Sequence, residues 1–215
     1  MGDAARVRSV LCFGDSNTWG LDPVTEGRFP RTVRWPGLLQ SALGSEWHVV
    51  EEGLNGRTTT LDSPIAPGKN GLDYLVPCLD SHAPLDAVVI YLGTNDLADR
   101  YSLTATDIAR ASARLATVVA ASTAGIDGAA PLPILASPPP VGDTTWGEDW
   151  AGAPAKSAVL AARFAEVAAA SGFEHLDLGR ATRYSPLDGI HLDEAGHAAV
   201  AGLVEQTLRR LFPDA

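Results

Sequence analysis

The chain has 215 residues, 46% of them hydrophobic and 20% charged, which is enough apolar material for a substantial core and excludes a disordered or fibrous polymer. Its 16 Lys and Arg against 26 Asp and Glu leave a net charge of −10, with no basic run or stripe, so a phosphate-tracking nucleic-acid surface is excluded. No stretch approaches the roughly 20 apolar residues of a membrane-spanning helix.

The N-terminal ten residues lack the apolar core of a secretory leader, and the simplest location is the cytoplasm. Val10 to Phe13, with Val7 upstream, reads as a buried strand that stops at Gly14. Asp15, Ser16 and Asn17 are turn formers, so Ser16 stands just past a strand end, where open α/β sheets bind ligands. Taken alone, that serine reads first as the cap of an ordinary strand-to-helix turn. Residues 21–33 read as a loop, Trp35–Leu43 as a helix stopped by Gly44, and Trp47–Glu51 as a second strand broken by Gly53-Leu54-Asn55-Gly56.

Another loop covers 57–71, and Asp73 is the expected cap of a short helix ending near His82, against which Pro77 argues. Leu85–Leu92 is the clearest buried strand and runs into Gly93-Thr94-Asn95-Asp96. Thr104–Ala124 reads as a long helix, Leu132–Ala136 as a fourth strand and 141–152 as a loop carrying Trp146 and Trp150. Ala153–Ser171 reads as one helix, Phe173–Leu178 as a fifth strand and Asp193–Leu211 as the closing helix. Alternating strands and helices predict parallel βαβ units with helices on both faces, in a single domain spanning 1–215.

In a parallel sheet, turns after successive strands open on one edge, so Ser16, Gly56, Asn95 and the Asp188-Gly189-Ile190-His191 turn can meet there. Serine needs a base to become a nucleophile, histidine suits that task, and the histidine needs a carboxylate to fix its tautomer. Asp188 lies three residues before His191, within reach of the ring. A developing oxyanion needs donors, which the N–H groups of Ser16 and Gly56 and the amide of Asn95 can supply.

Gly14-Asp15-Ser16-Asn17, Gly56, Gly93-Thr94-Asn95-Asp96 and Asp188-Gly189-Ile190-His191 resemble, in order, the four blocks of the SGNH (GDSL-type) hydrolases. Leu11–Ser16, Thr18-Trp19-Gly20, Val33-Arg34-Trp35, Glu51–Leu54, Arg57-Thr58-Thr59, Leu92–Asp96 and Ser137–Pro140 are most similar to the arylesterase/acyltransferase branch. The resemblance implies a three-layer α/β/α sandwich of flavodoxin-like type around a five-stranded parallel sheet. It implies Ser16 as nucleophile, His191 as base, Asp188 as its orienting acid, and Ser16, Gly56 and Asn95 as the oxyanion hole. It further implies hydrolysis of short-chain and aryl esters without a cofactor, acyl transfer to alcohol acceptors, and a homo-oligomer, an octamer in many members, whose subunits narrow the channel.

Two positions depart from that pattern. Asn17 replaces the leucine usual after the serine, a change expected to affect packing more than chemistry, and Leu21 stands where a tryptophan is expected beside the alcohol channel. A carbohydrate O-acetyl esterase is the nearest alternative, and a non-catalytic scaffold that kept the fold is a more distant one.

Around the site, Asp15 is expected to anchor the serine turn and Asp96 to be structural. His197 is expected to face solvent or to pack, and His48, His82 and His175 to lack partners at ligand spacing, so no metal site is expected. Trp146 and Trp150 suit a channel wall, a subunit contact or core packing alike. Arg28, Arg31 and Arg34 are expected to form loop and subunit salt bridges, and Cys12 and Cys78 to be buried, unbridged hydrophobes.

Overall fold

A computed structural model describes residues 6–213; the reading of the N-terminus as leaderless falls largely on residues 1–5, outside the described residues. Five strands form one wholly parallel sheet: β1 (Arg8–Gly14), β2 (Trp47–Gly53), β3 (Ala87–Tyr91), β4 (Leu132–Ser137) and β5 (Glu174–Asp177), in spatial order β2-β1-β3-β4-β5. Helix α1 (Ser16–Trp19) follows β1 directly, and α2 (Trp35–Leu43) packs on α7 (Glu194–Leu211) over one face of the sheet. Helices α3 (Gly71–His82), α4 (Ala105–Ala120) and α6 (Leu160–Ser171) form the other layer, with the short α5 (Ala153–Ser157) leading into α6. This is the expected α/β/α sandwich.

The sheet is covered on both faces, which is why its central strands are continuous apolar runs rather than alternating ones. Val10 to Phe13 and all five residues of β3 are buried. A fully buried aliphatic side chain contributes about 1.5–3 kcal/mol, so these two strands contribute heavily to the stability of the sheet. Because β2 and β3 lie on opposite sides of β1, the chain reverses its winding at β1, and a crevice opens at the C-terminal ends of β1 and β3. Ser16 and Asn95 follow those two strands.

The elements differ from the sequence reading in several places, and α4 ends at Ala120 rather than at Ala124. Helix α3 starts at Gly71, capped by Asn70, whose Oδ1 accepts from Leu72 N at 3.0 Å, while Asp73 lies inside its first turn. Pro77 remains within α3 because it and Asp73, whose carbonyl loses a donor, both face solvent. The expected helix 153–171 is two helices, interrupted at Val159, whose exposed β-branched side chain sits at φ −107°, ψ 0°. Ser16, expected in a plain turn, begins the short helix α1. Cys12 and Cys78 are buried and free. Among the described residues no helix is long and apolar enough to cross a membrane.

Candidate active site

Asp15 builds the serine turn. Its Oδ1 accepts the Asn17 N–H at 2.9 Å, capping α1 and turning Ser16 up at the end of β1. The carboxyl is fully buried, and that burial pushes its pKa up to about 6 against the opposing hydrogen bonds from Asn17. It serves the turn, as expected.

Ser16 and His191, 175 residues apart in sequence, meet with His191 Nε2 2.9 Å from Ser16 Oγ. On the other side of the ring, His191 Nδ1 lies 2.6 Å from Asp188 Oδ2. Asp188 Oδ1 accepts the backbone N–H groups of Ile190 and His191, each at 3.1 Å. Burial raises the Asp188 pKa, but the His191 contact and the two backbone donors outweigh it, and the net shift is downward. An ionised Asp188 fixes the proton on Nδ1 and leaves the Nε2 lone pair for the serine hydroxyl. Ser16, Asp188 and His191 are each more than nine-tenths buried.

Gly189 makes the loop possible. Its φ is +78°, and a Cβ there would stand 2.6 Å from Asp143 O, so any side chain would be both strained and blocked. Gly142 N donates to Gly189 O at 2.9 Å, tying the base loop to the start of segment 141–152.

The oxyanion side follows from strand order, since β2, β1 and β3 are neighbours and Gly56, Ser16 and Asn95 lie beyond their respective ends. Gly56 has φ +74°, and a Cβ would meet only Lys69 carbons at 3.7–3.8 Å. The glycine is therefore favoured by its backbone conformation, with space left open around its N–H. Asn95 Nδ2 donates to Arg57 O at 3.0 Å, which orients the amide and leaves its second N–H free to donate elsewhere.

Two residues outside the predicted triad and oxyanion donors support this side. Arg57 is buried, donates to Gly14 O at 2.9 Å and Glu52 O at 2.5 Å, and lies over the rings of Phe13 and Tyr74. Asp96, raised to about 6 by burial, receives the Thr59 N–H at 3.1 Å and the Thr59 hydroxyl at 2.5 Å, so it is structural as expected.

A cavity of about 210 Å³ adjoins Gly56 and Asn95, with Ile65, Lys69, Tyr101, Trp146 and Trp150 in its wall. Trp146 meets the His191 ring edge-on at 5.9 Å while half exposed, whereas Trp150 is buried. Both tryptophans thus line the cavity. A larger cavity of about 470 Å³, between Glu52, Arg57, Asp62 and Tyr74, contains none of the five candidate site residues.

The remaining expectations divide. His197 is fully buried, accepts from Trp35 N at 3.2 Å and packs edge-on against Phe29. Arg31 and Arg34 contact Glu51 at 3.0 and 2.5 Å and Arg28 reaches it at 4.0 Å, so the basic patch closes on one carboxylate within the chain. His82 does have partners: its Nε2 lies 2.9 Å from Glu52 Oε1, and ligand atoms of Glu52, Cys78 and His82 fall within 4.8 Å of one another. Cys78 is one helical turn before His82, and Glu52 is supplied by a different element, which spacing alone could not reveal. His175 Nε2 lies 3.0 Å from Ser137 Oγ.

The family model of the GDSL-like lipase/acylhydrolases matches residues 12–199. The chain belongs to this family. Two solved structures bear on its branch. The aryl esterase of Mycobacterium smegmatis is 37% identical with a TM-score of 0.91, over 95% of this chain and 99% of that one. The carbohydrate acetylesterase Est24 of Sinorhizobium meliloti is 36% identical with a TM-score of 0.91, over 95% of this chain and 100% of that one. A lipolytic G-D-S-L protein of Veillonella parvula, 15% identical with a TM-score of 0.70, shares the fold over 94% of this acylhydrolase and 99% of its own length. No curated protein sequence matches the chain. The acylhydrolase is a carboxylic ester hydrolase.

Proposed function

We propose that this acylhydrolase is a serine esterase for short-chain and aryl esters that works through an acyl-enzyme and passes the acyl group to alcohols as well as to water. The observation that carries the reading is the unbroken contact from Ser16 Oγ to His191 to Asp188, at 2.9 and 2.6 Å, beside donors on Gly56 and Asn95. Ser16 Oγ attacks the ester carbonyl as His191 Nε2 takes its proton. The oxyanion is held by Ser16 N–H, Gly56 N–H and the free N–H of Asn95. His191 returns the proton to the leaving alcohol, and Asp188 stabilises the imidazolium meanwhile. Water or a second alcohol then attacks the acyl-enzyme by the reverse sequence.

The small cavity supports a short acyl group, and its tryptophan walls support an aryl or alcohol moiety held away from bulk water. Ile65, Trp146 and Leu187 are exposed apolar residues, the first two in the cavity wall, and their burial in a homo-oligomer would narrow the channel. Light scattering that finds a monomer removes that part of the proposal.

The test is p-nitrophenyl acetate turnover with and without benzyl alcohol, on wild type and Ser16→Ala. Serine-dependent release with benzyl acetate formed in water is the expected result. Release without benzyl acetate leaves a plain esterase, and serine-independent release overturns the mechanism. A carbohydrate O-acetyl esterase is the second reading, favoured by the similarity to Est24 and by the aromatic wall with Lys69 beside it. Preference for acetylated sugars over aryl acetates would decide for it.

A further inference from the structure

Asn17 was expected to change packing more than chemistry, yet its side chain spans the two halves of the site. It is buried, and its Nδ2 donates to Ile190 O at 3.1 Å while its Oδ1 accepts from Leu192 N at 3.0 Å. The two partners fix the amide's orientation, because a carbonyl can only accept and an N–H can only donate. Ile190 O and Leu192 N are the peptide groups on either side of His191. One planar amide therefore grips the backbone of the base from both sides, as a neighbouring strand would.

We infer that Asn17 is a positioning residue that locks the backbone of His191 to the serine turn, so that nucleophile and base move as one unit. The inference rests on the reading of Ser16 and His191 given above. The geometry explains why two bonds are needed. Rotating φ of His191 displaces Ile190 O relative to Leu192 N, and rotating ψ displaces Leu192 N, so neither torsion can drift while both bonds hold. Asp188 and Ser16 then need only set the side-chain torsions, through the contacts at 2.6 and 2.9 Å. Asn17 is itself fixed, since its own N–H is bound by Asp15 Oδ1 at 2.9 Å. The chain of restraint runs from Asp15 through Asn17 to the two peptides of His191. It requires an amide at position 17, and the leucine usual in the motif has no atom that could supply either bond.

Asn17→Leu removes both bonds, and Asn17→Asp keeps the shape and the acceptor for Leu192 N while losing the donor for Ile190 O. Steady-state kinetics on p-nitrophenyl acetate, with Ser16→Ala alongside, test the idea. In Asn17→Leu, kcat should fall roughly 10- to 100-fold with KM within about twofold, because a misaligned base costs the chemical step rather than binding. The low-field proton resonance of the His191 Nδ1–H beside Asp188 should broaden or vanish. In Asn17→Asp, an ionised carboxylate against the His191 backbone favours the imidazolium, so the acid limb of kcat/KM should move to higher pH.

Should Asn17→Leu not fold, the acid limb and kcat of Asn17→Asp decide. The proposal is overturned if Ser16→Ala is inactive while both Asn17 variants keep kcat within about twofold, the resonance and the acid limb of wild type. If Ser16→Ala stays active, the serine mechanism fails instead, and the two failures are told apart.

Discussion

His191 and His197 lie six residues apart, both are buried, and they occupy opposite environments. His191 sits in a loop with a carboxylate on one ring nitrogen, a hydroxyl on the other, the Asn17 amide along its backbone and the Trp146 ring beside it. His197 sits in the first turns of α7 with one backbone donor, from Trp35, and the ring of Phe29. Burial depresses the His197 pKa to about 4, so it stays neutral and acts as a packed acceptor. Depth does not distinguish a working histidine from a structural one. What adjoins each ring nitrogen does.

That contrast can be broken from the His191 side first. Replacing Ser16 by alanine should lower kcat on the order of 10⁴–10⁶-fold with an unchanged melting temperature, measured by ester turnover and calorimetry. Asp188→Asn should cost about 10⁴-fold, since an amide can offer its N–H to Nδ1 and push the proton to Nε2, where it faces the serine. Turnover within tenfold of wild type would show that the 2.6 Å contact is only structural. Asn95→Ala should cost roughly 10²–10³-fold in kcat, with KM little changed, if Asn95 is one of the three oxyanion donors proposed above. A loss confined to KM would instead place Asn95 in ground-state binding.

The meeting of these side chains in one crevice was legible in the sequence because turns after parallel strands must share an edge. Ser16, Gly56 and Asn95 could be chosen from their positions after apolar runs, Asp188 and His191 from the turn before the closing helix, and the fold class came with the alternation of strands and helices. What could not be read were the contacts between residues far apart in the chain. Asn17 with Ile190 and Leu192, Arg57 with Gly14, Asp96 with Thr59, and Trp146 with His191 are such pairs. Local propensity also misled where solvent decides. Pro77 survives in α3 because the carbonyl it leaves unbonded faces water, and Val159 interrupts an Ala-rich helix that composition alone would continue.

The smallest effect on turnover, and the sharpest test of the contrast, comes from His197→Asn. Asparagine keeps an acceptor for the Trp35 N–H but cannot take a proton. In the wild type the folded pKa, about 4, lies below the unfolded value of 6.5, so the unfolded chain binds more protons between these limits. His197 therefore contributes stability that is complete above pH 6.5 and is lost as pH falls toward 4. A shift of that size corresponds to roughly 3 kcal/mol. Asp193 opposes the depression, while the charges of His191 and Arg34 add to it. Asp15 and Asp96 work in the other direction, because their folded values near 6 exceed the unfolded 3.8, and they lose stability as pH rises through that interval. The net curve of the wild type mixes both slopes, so the informative quantity is the difference between variant and wild type. That difference should narrow as pH falls from 6.5 to 4, with kcat at pH 7.5 almost unchanged. Parallel stability curves would mean that His197 titrates alike in the folded and unfolded chain, and the contrast with His191 would then rest on position alone.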